Sequence, residues 1–272
     1  MNVQRAGASL HYKVRGQGPV LLVLQGGDGD AEGSDFIAER LESRFTVLSY
    51  DRRGLSRSKI EPGGVLPGTL AVHTDDAVAV LDAVTREPAF VVGISIGAAI
   101  GLDLLARYPL KVKKLVAFEP PVTTMLPAEQ RDVAVAMQSE IESLFKAKGA
   151  GFAMRRFFEM AGVKLDDLEP GVSLPAPNPG RLRNIEFFLA HDTAAVRGFT
   201  PDVAALSRLK DKLVLGGGAA AREALPYRCG AAVAHALGLE VVEFKGAHNA
   251  HTAQPTAFAQ RVVELLGASS EA

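Results

Sequence analysis

Residues 89–99 read AFVVGISIGAA. A continuous apolar run ends at Gly93, a serine follows two residues later, and small residues begin at Gly97. The run predicts a strand buried on both faces, and the small residues predict a helix lying close against a sheet. G-x-S-x-G between them must turn sharply from strand to helix. Such a turn strains the serine, exposes its hydroxyl and needs small neighbours to pack. Ser95 is therefore a candidate nucleophile. The N–H of Ile96, at the helix start, is aimed at any oxyanion formed beside it. A chance GxSxG in a glycine-rich chain is the rival reading, and it leaves the flanking strand and helix unexplained.

The same alternation extends outward in both directions. Candidate strands lie at 9–14, 19–24, 45–50, 89–93, 114–118, 212–216 and 240–244, with helical segments at 34–43, 70–86, 97–107, 227–238 and 254–267. The first strand alternates polar and apolar residues, as an edge strand does, and the later ones are nearly all apolar. This predicts an α/β fold with a mostly parallel central sheet flanked by helices. The 272 residues fit one large α/β domain or two small ones. Residues 121–200 break the rhythm: no strand pattern is present, and helices are expected at 127–147, 151–162 and 179–197. A Pro-rich connection, LEPGVSLPAPNPG (168–180), separates the last two. The organisation expected is a core in two parts, 1–120 and 201–272, with a helical lid inserted at 121–200. The tail GASSEA (267–272) is expected to fray.

Charge is balanced, with 30 basic and 31 acidic side chains and no block of one sign. That argues against nucleic acid and anionic membrane as partners. Cys229 is the single cysteine, so neither an intrachain disulfide nor a thiolate metal cluster is possible. The N-terminal MNVQRAGASLHYKV lacks the apolar core of a secretion signal, and a reducing cytoplasm is the expected location. The loop LQGGDGDAEG (24–33) lacks the Lys-Ser/Thr ending of a phosphate loop and the spacing of a calcium loop. No cofactor or metal is expected.

A serine nucleophile needs a base, and in an α/β order of nucleophile, acid, histidine the base comes last. Of six histidines, His248 and His251 follow the final strand in KGAHNAHTAQ, and His248 stands directly on the loop after it. His251, nearer the next helix, reads as a loop or capping residue. His11, His73 and His235 read as structural, and His191 as a lid residue able to touch substrate. The acid has no obvious place. The turn after strand 212–216 is GGGAAA, without a carboxylate, and Glu223 comes several residues later. Glu119 in KLVAFEPP stands at the end of the strand that follows the nucleophile's helix, beside two prolines that stop the ladder. Glu119, Glu223 and no working acid at all are the alternatives. Gly26 and Gly27, in the glycine-rich loop after strand 19–24, are candidates for the second oxyanion N–H alongside Ile96.

Taken together, QGG (25–27), YDRRGLSRS (50–58), GISIG (93–97) and GAHNAHTAQPTAFA (246–259) resemble the α/β-hydrolase superfamily over nearly the whole chain. In YDRRGLSRS, Asp51, Gly54, Ser56 and Ser58 match the D-x-x-G-x-S-x-S turn common there, which implies a structural role bracing the nucleophile turn. Serine at the elbow sets the chain apart from members that use aspartate, such as epoxide hydrolases and haloalkane dehalogenases. FEPP after the strand following the nucleophile is similar to the zearalenone-type lactone hydrolases. That resemblance implies Ser95, Glu119 and His248 as nucleophile, acid and base, with Gly26 and Ile96 giving oxyanion N–H groups. Those lactonases place a lid tryptophan against their substrate, and this chain has none.

The function expected is cleavage of a small hydrophobic carboxylic ester, preferably a lactone, through an acyl-enzyme. Met125, Met137, Phe157, Phe158, Phe187, Phe188, Leu189 and His191 are the lid's candidate substrate contacts, with lid-core packing as the rival reading for each. Thioesterase, carbon–carbon hydrolase or cofactor-free oxygen chemistry on the same scaffold are the alternatives. A silent small-ligand binder, with Glu119 turned to solvent, is the remaining one.

Overall fold

The structure is a computed structural model that describes residues 1–27, 29–174 and 179–267. Among the described residues nine strands form one sheet: β1 (Asn2–Arg5), β2 (Ala8–Arg15), β3 (Val20–Leu24), β4 (Thr46–Tyr50), β5 (Lys59–Ile60), β6 (Ala89–Ile94), β7 (Val112–Phe118), β8 (Leu213–Gly218) and β9 (Val241–Phe244). Their order is β1-β2-β4-β3-β6-β7-β8-β9, with β5 pairing β2. From β4 to β9 the pairs are parallel, and only the β1, β2 and β5 edge is antiparallel.

The central strands are apolar throughout because both faces are covered. In β3, Leu22 and Leu24 enter one core while Leu21 and Val23 enter the other. In β7, Leu115 and Ala117 divide from Val116 and Phe118 in the same way. The period-2 alternation of side chains feeds two cores from one uniformly apolar run. On one side lie α1 (Asp35–Leu41) and, at the far end of the chain, α11 (Pro255–Leu266). On the other lie α2 (Leu70–Asp82), α3 (Ile96–Arg107) and α9 (Leu225–Leu237).

Between β7 and β8 the described residues contain helices and no strand. These are α4 (Ala128–Lys148), α5 (Ala150–Ala161), α6 (Pro179–Phe187), α7 (Thr193–Arg197) and α8 (Val203–Ser207). The helix expected over 179–197 is interrupted: residues Phe188–Asp192 form a π-helical turn between α6 and α7. The hairpin strand β1 and the two-residue β5 have no counterpart in the sequence reading, because NVQR and KI are too short and polar for periodicity to register. Residues 250–253 wind into the short helix α10 (Ala250–Ala253), which takes up His251. Residues 175–178 of the Pro-rich connection and 268–272 of the tail lie outside the described residues. Among the described residues no helix is long and apolar enough to cross a membrane.

Candidate active site

At the carboxyl end of β6 the chain reverses into α3 through Ser95, at φ 55° and ψ −122°. That conformation is disfavoured for an L-residue, so the surroundings must enforce it. The Ser95 N–H donates to the Phe118 carbonyl at 2.9 Å, and the Ser95 carbonyl accepts from Ala98 N–H at 2.8 Å. The flanking glycines are required by close approach: a Cβ on Gly93 would sit 2.6 Å from Ala98 Cα, and one on Gly97 would collide with the Leu24 carbonyl. Ile96, as the first helical residue, has an N–H without an intrahelical acceptor.

One strand over, β7 ends in a similar device. Glu119 has φ 49°, is 0% exposed, and donates its own N–H to the Gly216 carbonyl at 2.9 Å. Its Oε1 accepts from Gly218 N–H at 2.7 Å, and its Oε2 lies 2.5 Å from Nδ1 of His248. His248, 6% exposed, follows β9 on a loop whose Gly246 carbonyl accepts from Ala220 N–H at 2.9 Å. Gly218 permits this arrangement, since a Cβ there would lie 2.7 Å from the Ala247 carbonyl oxygen. The GGG end of β8, which carries no acid, is thus where the histidine loop closes down on the sheet. Glu223 stands exposed on a surface turn, and the carboxylate bonded to His248 is that of Glu119.

The loop after β3 passes beside Ser95: a Cβ on Gly26 would be 3.8 Å from Ser95 Cβ. Its conformation is held by Arg52, which is nearly fully buried. Arg52 Nη1 donates to the carbonyls of Gln25 at 3.1 Å and Gly26 at 2.5 Å, and Nη2 donates to Gly27 O at 3.0 Å and Asp192 Oδ2 at 2.8 Å. The other oxygen of Asp192 meets Nε2 of buried His73 at 3.2 Å. Burial raises the Asp192 pKa, but Arg52 and His73 outweigh it and hold the carboxyl below its ordinary range.

Asp51 braces its own turn and the loop after β3, rather than the turn at Ser95. Its carboxylate accepts from Ala31 N–H at 2.7 Å, Arg57 N–H at 2.9 Å and the Arg57 side chain. Its pKa falls, because these bonds outweigh the upward push of burial. Cys229 is no rival nucleophile: burial pushes its thiol up to about 12, where it stays protonated.

Ser95 and Ile96 open on a largely apolar cavity of about 50 Å³ under the helical segment. Phe157, Phe188 and Leu189 line it, as do Ile141, Met160 and Gln138. The Oε1 of Gln138 is buried with no hydrogen-bond partner among the described residues. Met125, Phe158, Phe187 and His191 do not line the cavity, which corrects the sequence reading. Met125 sits in a short 3-10 turn and packs into the core. Phe158 is one residue, or about 100° of helix, around from Phe157 and faces an outer groove with Met137. Phe187 packs at a tilt against His191, 4.6 Å between ring centroids, and lies over Gly54.

Arg52, Asp192 and Gln138 carry no sequence signal that marks them. Arg52 is one of two adjacent arginines in DRRG, and its carboxylate partner lies 140 residues away.

The alpha/beta hydrolase fold family matches residues 19–159. The hydrolase YraK of Bacillus subtilis is 32% identical over 269 residues, 97% of this chain and 94% of its own length. Among solved structures, an alpha/beta hydrolase from Sphaerobacter thermophilus superposes with a TM-score of 0.70 at 25% identity, over 97% of this chain and 99% of that one. An enol-lactonase from Burkholderia xenovorans does so at 0.65 and 19% identity, over 96% and 97%, a likeness of fold alone. By family match, by a full-length relative and by architecture, this chain belongs to the alpha/beta hydrolase fold family and is a hydrolase.

Proposed function

We propose that the protein is a serine hydrolase that cleaves a small, uncharged carboxylic ester, with a lactone preferred, through Ser95, His248 and Glu119. The observation that carries this reading is the 2.5 Å contact of a fully buried Glu119 with His248 Nδ1, one strand from a serine held at positive φ. A carboxylate there fixes the Nδ1–H tautomer, so that Nε2 is the basic nitrogen, and it stabilises the imidazolium that forms. A silent binder would leave Glu119 facing solvent; its burial against the base favours turnover.

In the first step Ser95 Oγ attacks the carbonyl carbon while His248 Nε2 takes the hydroxyl proton. The oxyanion lies between the N–H of Ile96 and that of Gly26 or Gly27. Collapse breaks the acyl–oxygen bond, and His248 returns its proton to the departing alkoxide. In a lactone that alcohol stays tethered to the acyl-enzyme, so the cavity must hold both ends. Water, deprotonated by His248, then releases the acid and restores Ser95.

The apolar lining favours an uncharged substrate, and Gln138 favours one that offers it a hydrogen bond. The cavity beside Ser95 is small, about 50 Å³, and partly enclosed. An acyl group of a few carbons fits it, and a bulkier substrate requires the helical lid to move. Fluorophosphonate labelling tests the reading: stoichiometric label in the wild type, absent in Ser95→Ala, is expected. A folded wild-type protein that takes no label sinks it.

A further inference from the structure

The loop that passes Ser95 has little of its own to hold it. β3 ends at Leu24, and the next residues, Gln25, Gly26 and Gly27, belong to no strand or helix. Glycine peptides flip readily, because no Cβ opposes either orientation. Yet three successive carbonyls, those of Gln25, Gly26 and Gly27, all turn toward one guanidinium at 3.1, 2.5 and 3.0 Å. A trans peptide is planar, so its C=O and the following N–H point in opposite directions. Fixing the Gln25 and Gly26 carbonyls on Arg52 therefore fixes the N–H groups of Gly26 and Gly27 on the side away from it. Gly26 is also the loop residue beside Ser95.

Arg52 is itself held from the lid. Its charge is buried, and its carboxylate partner is Asp192, in the π-helical turn Phe188–Asp192. That same turn carries Phe188 and Leu189 into the cavity, and the Phe188 ring packs on Gly27, where a Cβ would approach to 3.0 Å. Wide π turns of this kind recur at functional sites. His73, on α2, holds the second oxygen of Asp192 and so fixes the carboxylate from that helix.

We propose that Arg52 is a positioning residue for the oxyanion hole, and that Asp192 makes the order of that hole depend on the seating of the lid. The proposal rests on the serine hydrolase reading above. When the turn 188–192 is seated, Asp192 secures Arg52, Arg52 secures the three carbonyls, and the glycine N–H groups are aimed. When the turn lifts to admit a substrate, Arg52 loses its counter-charge and the loop is free to flip. The hole is then complete only over an enclosed substrate, which ties transition-state stabilisation to the exclusion of bulk water.

The test compares wild type, Arg52→Met, Arg52→Lys and Asp192→Asn in p-nitrophenyl butyrate hydrolysis. It also measures inhibition by phenylethylboronic acid, which forms a tetrahedral adduct on a serine nucleophile. Arg52→Met and Asp192→Asn are expected to lower kcat by about 100-fold, the cost of losing one oxyanion donor. KM should change less than about threefold, and boronate affinity should fall by the same factor as kcat, as loss of a contact made only in the transition state requires. Arg52→Lys should recover little, since an ammonium cannot span three carbonyls and a carboxylate. Fluorophosphonate labelling should still run to completion on Ser95 in every variant, showing the nucleophile and base intact. A labelled variant with kcat within about twofold of wild type overturns the proposal, as does a kcat loss without a matching boronate loss. If Arg52→Met does not fold, the near-isosteric Asp192→Asn carries the same decision. A wild type that takes no label overturns the hydrolase reading and this inference with it.

Discussion

Two neighbouring turns use one backbone device for opposite ends. Ile94 of β6 and Phe118 of β7 are paired in register, so Ser95 and Glu119 each stand one residue beyond the last rung. Both are non-glycine residues at positive φ, 55° and 49°. After Ser95 the chain enters a helix, and the hydroxyl faces a cavity. After Glu119 come Pro120 and Pro121, which cannot extend the ladder, and the carboxylate is sealed from solvent. Glu119 compensates its strain with three hydrogen bonds, through its N–H, Oε1 and Oε2. Among the described residues Ser95 makes backbone bonds only, and α3 packed on the strands enforces its geometry. The lesson is that strain alone does not mark a reactive group. What the strained side chain faces decides its use.

The comparison breaks most severely at Glu119→Gln. Its amide is a poor partner for His248 Nδ1–H and allows the wrong tautomer, so kcat for p-nitrophenyl butyrate should fall by about 10⁴-fold while the fold survives. Activity within tenfold of wild type in a natively folded variant would remove Glu119 from the acid's role.

Replacing each strained residue by glycine then separates strain from compensation. Glu119→Gly relieves the positive φ but strips the partner from Gly218 N–H and from His248, both buried. The two losses, at ~1–3 kcal/mol each, outweigh the relief, and urea unfolding should show a net loss of about 2 kcal/mol. Ser95→Gly should go the other way, gaining about 1 kcal/mol with no side-chain bond forfeited, even as activity disappears. A destabilised Ser95→Gly would mean that the serine's hydroxyl contributes more to folding than its strain costs.

Much of this was legible in the chain because the signals are local. The apolar run 89–93 followed by small residues located both strand and elbow, and FEPP marked the end of β7 through two prolines. His248 is marked by its place directly after the last strand. The glycines of GGG misled only in part: they lack an acid, but their missing side chains are what let Ala247 and the histidine loop approach. The residues that the helical segment turns toward the cavity were the least legible. The helix expected over 179–197 is broken by a π turn, and Phe188 and Leu189 line the cavity while Phe187 and His191 pack together away from it; an apolar run marks a covered face but not what covers it.

The sequence by itself determined the strand–turn–helix around Ser95, the two-faced sheet and the place of His248 directly after the last strand. These follow from side-chain periodicity and turn chemistry acting over a few residues. Only the tertiary structure decided which carboxylate meets His248, 129 residues away, and that Arg52 is shared between the glycine loop and Asp192. The reason is physical: a buried charge takes its partner through space, from whatever element the packing brings within hydrogen-bond reach, and separation along the chain carries no trace of it.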